Sequence, residues 1–185
     1  KENYLFDNNN ILITGGAGFI GSALCRKIIK QTNSDLIILD KLTYASNLNS
    51  IKEIIEKKNV YFYNESIGNS DFLDKLLLKH EPKFIFNLAA ETHVDNSILN
   101  PSAFIQTNIL ETHNFLKTIL KYFKGLPKKY AANFRFLHIS TDEVYGDIDK
   151  NLPGVNENSP YKPSSPYSAS KAASDHLVKA YFRTY

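Results

Sequence analysis

Three glycines at a spacing of three, Gly15, Gly18 and Gly21, stand between a short apolar run and an amphipathic stretch. The run at 10–14 (Asn-Ile-Leu-Ile-Thr) has the unbroken apolar character of a strand buried on both faces, and 19–30 reads as a helix. A strand that passes straight into a helix through such glycines has few ways to fold. The first glycine permits a tight turn, the second lets backbone amides approach a ligand, and the third lets the helix lie close to the sheet.

The alternation continues down the chain. Further strands are expected at 36–40, 60–63, 84–89 and 134–140. Helices are expected at 47–58, with Leu48, Ile51, Ile54 and Ile55 on one face, and at 70–80, where Ser70 reads as the N-cap. A long helix should begin at Pro101 and carry apolar positions to Phe123, and a last one should start at Pro166. Residues 124–133 read as a surface loop. The Pro-, Gly- and Ser-rich segment 147–165 cannot hold regular structure for long. Strands alternating with helices predict an α/β fold, a doubly wound parallel sheet covered on both faces.

Composition excludes several classes. A formal charge of +3, with lysines spread along the chain, gives no argument for nucleic acid. The single cysteine, Cys25, rules out an internal disulfide, and no apolar run is long enough for a membrane span, so a cytoplasmic protein without membrane contact is expected. His80, His93, His113, His138 and His176 lack ligand spacing, so no metal is expected. The chain has no methionine and stops within an expected helix at Tyr185, as a trimmed piece of a longer protein would.

The glycine loop followed by a helix N-terminus suits a pyrophosphate, through open N–H groups and the positive end of the helix dipole. Asp40, at the end of the second strand, can accept hydrogen bonds from a ribose 2′-hydroxyl and would repel a 2′-phosphate, which favours NAD over NADP. The alternative for Asp40 is a turn residue that caps its strand. Tyr167 and Lys171 lie four apart, hence on one helix face one turn apart. An ammonium there would lower the phenol's pKa and let Tyr167 act as a base on a sugar hydroxyl. Thr141 follows the fifth strand and can join a relay with Tyr167. Asp142 and Glu143 come next, and two close carboxyls can divide acid and base roles. That division suits loss of water from a keto-sugar. His93, after the fourth strand, reads as a structural or substrate-side hydrogen bonder.

On residues 15–22, 39–45, 89–98, 104–108, 140–147 and 163–177, in that order, the chain resembles the extended short-chain dehydrogenase/reductase family, and within it the dTDP-glucose 4,6-dehydratases. The resemblance implies a Rossmann-like NAD-binding and catalytic domain over 1–185, incomplete because the last strands and a C-terminal sugar-nucleotide-binding domain are absent. It implies oxidation of a dTDP-glucose at C4 with Tyr167 as base. Loss of water across C5 and C6 follows, with Glu143 as base and Asp142 as acid, then reduction at C6 to dTDP-4-keto-6-deoxyglucose. Lys171 and Thr141 would assist. NAD contacts are implied at Gly15, Gly18, Phe19, Ile20, Gly21, Asp40, Lys41, Thr43, Asn47, Leu88, Ala89, Ala90, Thr107, Tyr167 and Lys171. Ser66 and Ile67 would lie at the adenine, where the family often has Asp-Ile. Thr92 and Thr141 would lie on the sugar-nucleotide side. Glu111 stands where the family commonly has glycine. A homodimer of the full-length protein is implied through the helices after Pro101 and around Tyr167. The isolated piece is expected to turn over little, because the pocket for the nucleotide half of the substrate is missing. Other readings are a related UDP-sugar epimerase or decarboxylase, which has no need of the Asp142/Glu143 pair, and a catalytically silent NAD-binding module.

Overall fold

The computed structural model describes residues 6–149, 151 and 153–185. They divide into two compact units. Among the described residues, the first comprises 6–89 and 114–139, and the second 90–113 and those from 140 to 185.

The first unit is built on five parallel strands: β1 (Asn10–Thr14), β2 (Asp35–Leu39), β3 (Val60–Tyr63), β4 (Phe84–Asn87) and β5 (Arg135–His138). Their order is β3-β2-β1-β4-β5, so chain direction across the sheet reverses between β1 and β4. Both faces are covered. Ile11, Ile13, Leu36 and Ile38 pack with Cys25 and Ile28 of α1 (Phe19–Gln31) and with Ile51 and Ile54 around α2 (Lys52–Ile55). Leu12, Ile37 and Leu39 pack on the other side with Leu73, Leu76 and Leu77 of α3 (Ser70–His80) and with Phe115 and Ile119. This is why the central strands read as unbroken apolar runs rather than alternating ones. It is a doubly wound, Rossmann-like sheet.

The single helix expected at 47–58 is instead a 3₁₀ turn (Leu48–Ser50) followed by the short α2. Asn47 accepts from the amide of Asn49 and caps the turn, and Ile51, at φ −120° and ψ 3°, leaves helical geometry. Leu48 is consequently exposed while Ile51 is fully buried. The cap of α3 is Asn69, whose side chain accepts from Phe72, and not Ser70. Asn at this position satisfies an orphan amide as well as Ser would.

The second unit begins with α4 (Val94–Leu99), a helix the sequence pattern did not reveal, and α5 (Pro101–Phe104). The long helix expected after Pro101 is interrupted by a π-helical segment, Ile105–Glu111, before α6 (Thr112–Gly125) resumes α winding. Such segments often mark functional positions. Here it carries Asn108, which is 1% exposed. Asn108 accepts from the amide of Glu91 (2.8 Å) and donates to the Glu91 carbonyl (3.0 Å) and to Ser170 Oγ (2.9 Å). The expected loop at 124–133 contains a short helix, α7 (Lys128–Ala131), which belongs to the first unit. In the second unit, a 3₁₀ turn (Asp142–Tyr145) precedes α8 (Pro166–Thr184). Ser165 and Ser168 form a reciprocal capping box at the start of α8, with Pro166 in the first turn. Among the described residues no helix is long and apolar enough to cross a membrane.

Candidate active site

In the first unit the nucleotide loop joins β1 to α1 next to the segment that follows β4. Gly15 has φ +69°, and a Cβ on it would lie 2.7 Å from the Ala89 nitrogen and 2.8 Å from the Leu88 carbonyl carbon. Its amide donates to the Leu39 carbonyl at 2.8 Å. Leu88 and Ala89 both donate back to Thr14, to its carbonyl and hydroxyl respectively. The loop therefore sits at the point where strand order reverses, the usual ligand position in such sheets.

The three glycines have separate duties. A Cβ on Gly21 would lie 2.1 Å from the Gly15 carbonyl oxygen, so it is the closeness of helix to loop that excludes a side chain. A Cβ on Gly18 would meet only that same oxygen, at 3.2 Å, and is otherwise unobstructed. Gly21→Ala should thus lower the stability of the fold by at least about 2–3 kcal/mol, read from the denaturant midpoint. Gly18→Ala should leave the midpoint nearly unchanged but weaken NAD retention, because its methyl group projects where phosphate would approach. Gly16, outside the spaced pattern, is held by packing, since a Cβ there would lie 2.5 Å from Ile38.

No side chain caps α1. The first-turn amides, those of Phe19 and Ile20 included, have no acceptor within the helix. The side chains of Phe19 (92% exposed) and Ile20 (61%) stand open beside them. Asp40 is buried and accepts from the amides of Ala17 (2.9 Å) and Leu42 (2.8 Å) and from Ser46 Oγ (2.7 Å). It is thus a turn-builder that ties the glycine loop to the segment after β2. A carboxylate offers about four acceptor sites, and the described residues use three, so a ribose hydroxyl can still be accepted. Ala17 is held on its other side by the Asn47 amide, which donates to its carbonyl at 2.9 Å.

Thr43 Oγ1 accepts from Ala45, and Lys41 is half-buried. The Ser66 hydroxyl accepts from the amide of Gly68, whereas the Ile67 side chain is 3% exposed and committed to the core, which leaves its main chain for any adenine contact. These features fit a dinucleotide whose pyrophosphate meets the glycine loop and whose ribose meets Asp40. Cys25 is buried, and its thiol is pushed up to about 12 by desolvation, so it is inert packing. Among the described residues no cluster of His, Cys, Asp or Glu could hold a metal ion.

The second unit brings the expected acid/base groups together. Thr141 caps the 3₁₀ turn by accepting from the amide of Glu143 at 3.3 Å. Asp142 and Glu143 occupy the first turn and are exposed. Tyr167 is half-buried on α8, with the Phe104 ring edge-on at 6.2 Å. Its phenol pKa is raised, first by burial and then by the charges of Glu143 and Asp142, while a hydrogen bond from Thr141 pulls it down. Both carboxylates thus bear electrostatically on the phenol.

The phenol is expected below its usual value and stands above it, because burial outweighs the hydrogen bond from Thr141. Lys171, 4% exposed, is itself pushed down to about 8 by desolvation, with Asp175 opposing. Thr107 is buried on the π segment, at 3% exposure. Ala90 is half-buried. Thr92 pairs with His93 (Oγ1 to Nδ1, 3.3 Å), and His93 holds φ +75° at the start of α4, an unusual conformation for a non-glycine residue.

A family model described as GDP-mannose 4,6 dehydratase matches residues 12–185. The chain belongs to the GDP-mannose 4,6 dehydratase family. Within that family it is 50% identical over 183 residues to the dTDP-glucose 4,6-dehydratase of Salmonella typhimurium, covering 95% of this chain and 51% of that protein. It thus spans about half the length of the curated relatives it matches. The crystal structure of dTDP-glucose 4,6-dehydratase from Bacillus anthracis in complex with NAD superposes with a TM-score of 0.82 at 36% identity, over 96% of this chain and 51% of that one. The UDP-Glc/GlcNAc 4-epimerase of Campylobacter jejuni superposes at 0.80 with 27% identity, over 95% of this chain and 49% of that one. Dehydratases and epimerases share this fold, so the reaction must be argued from side chains.

Asn108, Ser140, Ser170 and Asp175 lie within the motif stretches but were given no role there, and Tyr161 lies outside them. Asp175 was within reach of the same reasoning. It lies four residues after Lys171, on the helix face that Tyr167 and Lys171 already define.

Proposed function

We propose that the full-length protein dehydrates dTDP-glucose to dTDP-4-keto-6-deoxyglucose with NAD as resident cofactor. The observation that carries this reading is the Thr141–Tyr145 turn, whose two carboxylates and one hydroxyl all act on the Tyr167 phenol. An epimerase needs the hydroxyl and the phenol but has no step for an adjacent acid/base pair.

The Tyr167 phenolate, stabilised by the hydrogen bond from Thr141, takes the proton of the C4 hydroxyl and becomes the neutral phenol. Once C4 is a ketone, the proton on C5 becomes acidic. Glu143 removes it while Asp142 protonates the departing C6 hydroxyl, and water leaves. NAD⁺, when held here, would supply the acceptor for the C4 hydride and the donor that returns it to C6, and its ring charge would join Thr141 in favouring the phenolate. Lys171, charged at neutral pH, would hold the nicotinamide ribose, and Gly15, Gly18, Gly21 and Asp40 the rest of the dinucleotide. Thr92 would serve the sugar.

We assign the whole protein to a homodimer in the cytoplasm. In support, Ile98 (62%), Leu99 (84%) and Phe182 (87%) on α4 and α8 are exposed apolar side chains of the second unit. Sedimentation of the full-length protein tests the dimer. Incubation with dTDP-glucose tests the reaction. A 4-keto-6-deoxy product supports the reading, and a C4 epimer as sole product overturns it.

A further inference from the structure

We propose that Asp175 is a positioning residue that fixes the Thr141–Gly146 turn against the helix bearing Tyr167 and Lys171. The inference rests on the dehydratase reading above and adds to it a residue outside the reacting groups. Asp175 is 6% exposed on α8. A single oxygen, Oδ2, accepts from Ser140 Oγ at 2.5 Å and from Tyr161 Oη at 3.0 Å. Ser140 is the residue immediately before Thr141. Tyr161 belongs to the irregular segment before α8, and its neighbour Lys162 donates its amide to the Val144 carbonyl at 3.0 Å. Gly146 is pressed on the same segment, where a Cβ would lie 2.0 Å from the Lys162 carbonyl oxygen. The Tyr161 ring also packs edge-on against Tyr145 at 5.3 Å. One carboxylate oxygen thus closes both ends of the turn, directly at its start and through Tyr161 and Lys162 at its end.

Burial gives these bonds their weight. The Tyr161 phenol is pushed up to about 12 by desolvation and by the Asp175 carboxylate, so it remains a donor throughout the neutral range. Besides the Asp175 links, the turn that carries Thr141, Asp142 and Glu143 is held by buried Val144 and by the Thr141 hydrogen bond to Tyr167, so Asp175 refines its position rather than creating it. Loss of the Asp175 anchor should leave those side chains present and the substrate still bound, but displaced from the phenol.

The experiment uses the full-length holoenzyme with dTDP-glucose as probe. Asp175→Ala should lower kcat by about 30- to 100-fold, as expected for a displacement of about 1 Å, with KM within about 3-fold of wild type. Asp175→Asn should recover most of that loss, because its amide oxygen can accept both hydroxyls. Should Asp175→Ala fail to fold, Tyr161→Phe keeps the packing and deletes one bond, and should lower kcat by about 5-fold with KM unchanged. Wild-type kcat in Tyr161→Phe or Asp175→Ala would overturn the inference while leaving the dehydratase reading intact. So would an Asp175→Asn enzyme as slow as Asp175→Ala, since that result assigns the effect to charge. A wild-type protein that leaves dTDP-glucose unchanged would overturn the functional reading and this inference with it.

Discussion

Glu143→Gln in the full-length protein should stop the reaction after its first step. The substitution keeps size and hydrogen-bonding capacity but removes the base assigned to C5. Oxidation at C4 needs Tyr167 and Thr141, both untouched, so the 4-keto hexose should still form. Water should not be lost, and deuterium from heavy water should not enter C5. General-base removal is expected to cost about 10²–10⁴-fold in the dehydration step. The Tyr167 phenol should ionise at lower pH in this variant, because the Glu143 charge is among the groups that raise its pKa. Exchange at C5 that persists at the wild-type rate would remove Glu143 from its assigned role. Full loss of C4 oxidation would place it in the first step instead.

Lys171→Met should have an effect of similar size and a distinct dependence on pH. Activity at neutral pH should fall by about 10²–10³-fold, since the ammonium that holds the cofactor ribose is gone. In the wild type, the Lys171 charge is lost as pH rises past about 8, so kcat/KM should decline there. The Met variant should lack that decline. Stability carries a second signature, and its sign follows from proton counting. The folded pKa, about 8, lies below the unbonded value of 10.5. Between those values the unfolded chain binds more protons, so this residue makes wild-type stability rise with pH across that window. Burial of the ammonium is a penalty present in full below about pH 8 and gone above about 10.5. It amounts to roughly 3 kcal/mol. Comparison of denaturant midpoints of wild type and Lys171→Met at several pH values isolates it, because every other titrating group is common to both. A constant difference across the window would contradict the burial assigned to Lys171.

The sheet was legible because its physics is local. Ile11 to Ile13 and Leu36 to Leu39 are apolar at every position, which only a strand covered on both faces requires. The glycine loop was legible because Gly15 must adopt φ +69° and Gly21 must clear a carbonyl oxygen. What stayed hidden depends on tertiary context. The π winding at Ile105–Glu111 leaves apolar spacing that mixes threes and fours, as an ordinary helix does, and only the bonds of Asn108 to Glu91 and Ser170 distinguish it. The break at Ile51 follows from capping by Asn47, whose competition with helix continuation has no periodic signature. Helix α4 was masked by its short length and by its start at a histidine with positive φ. In the candidate site, the residue types at 141–143, 167 and 171 announced their chemistry, but the direction of the Tyr167 shift did not follow from the four-residue spacing. The spacing places an ammonium one turn away and says nothing about how deeply either group is buried. Burial decided the sign.

The measurement that bears most directly on the account follows the hydrogen on C4 of the hexose. dTDP-glucose deuterated at C4 is incubated with the full-length protein, and the product is examined by NMR. Dehydration by the route proposed here puts the deuterium on C6 of a 4-keto-6-deoxy sugar. Deuterium returned to C4 of an epimerised hexose, or found only in the solvent, would contradict it.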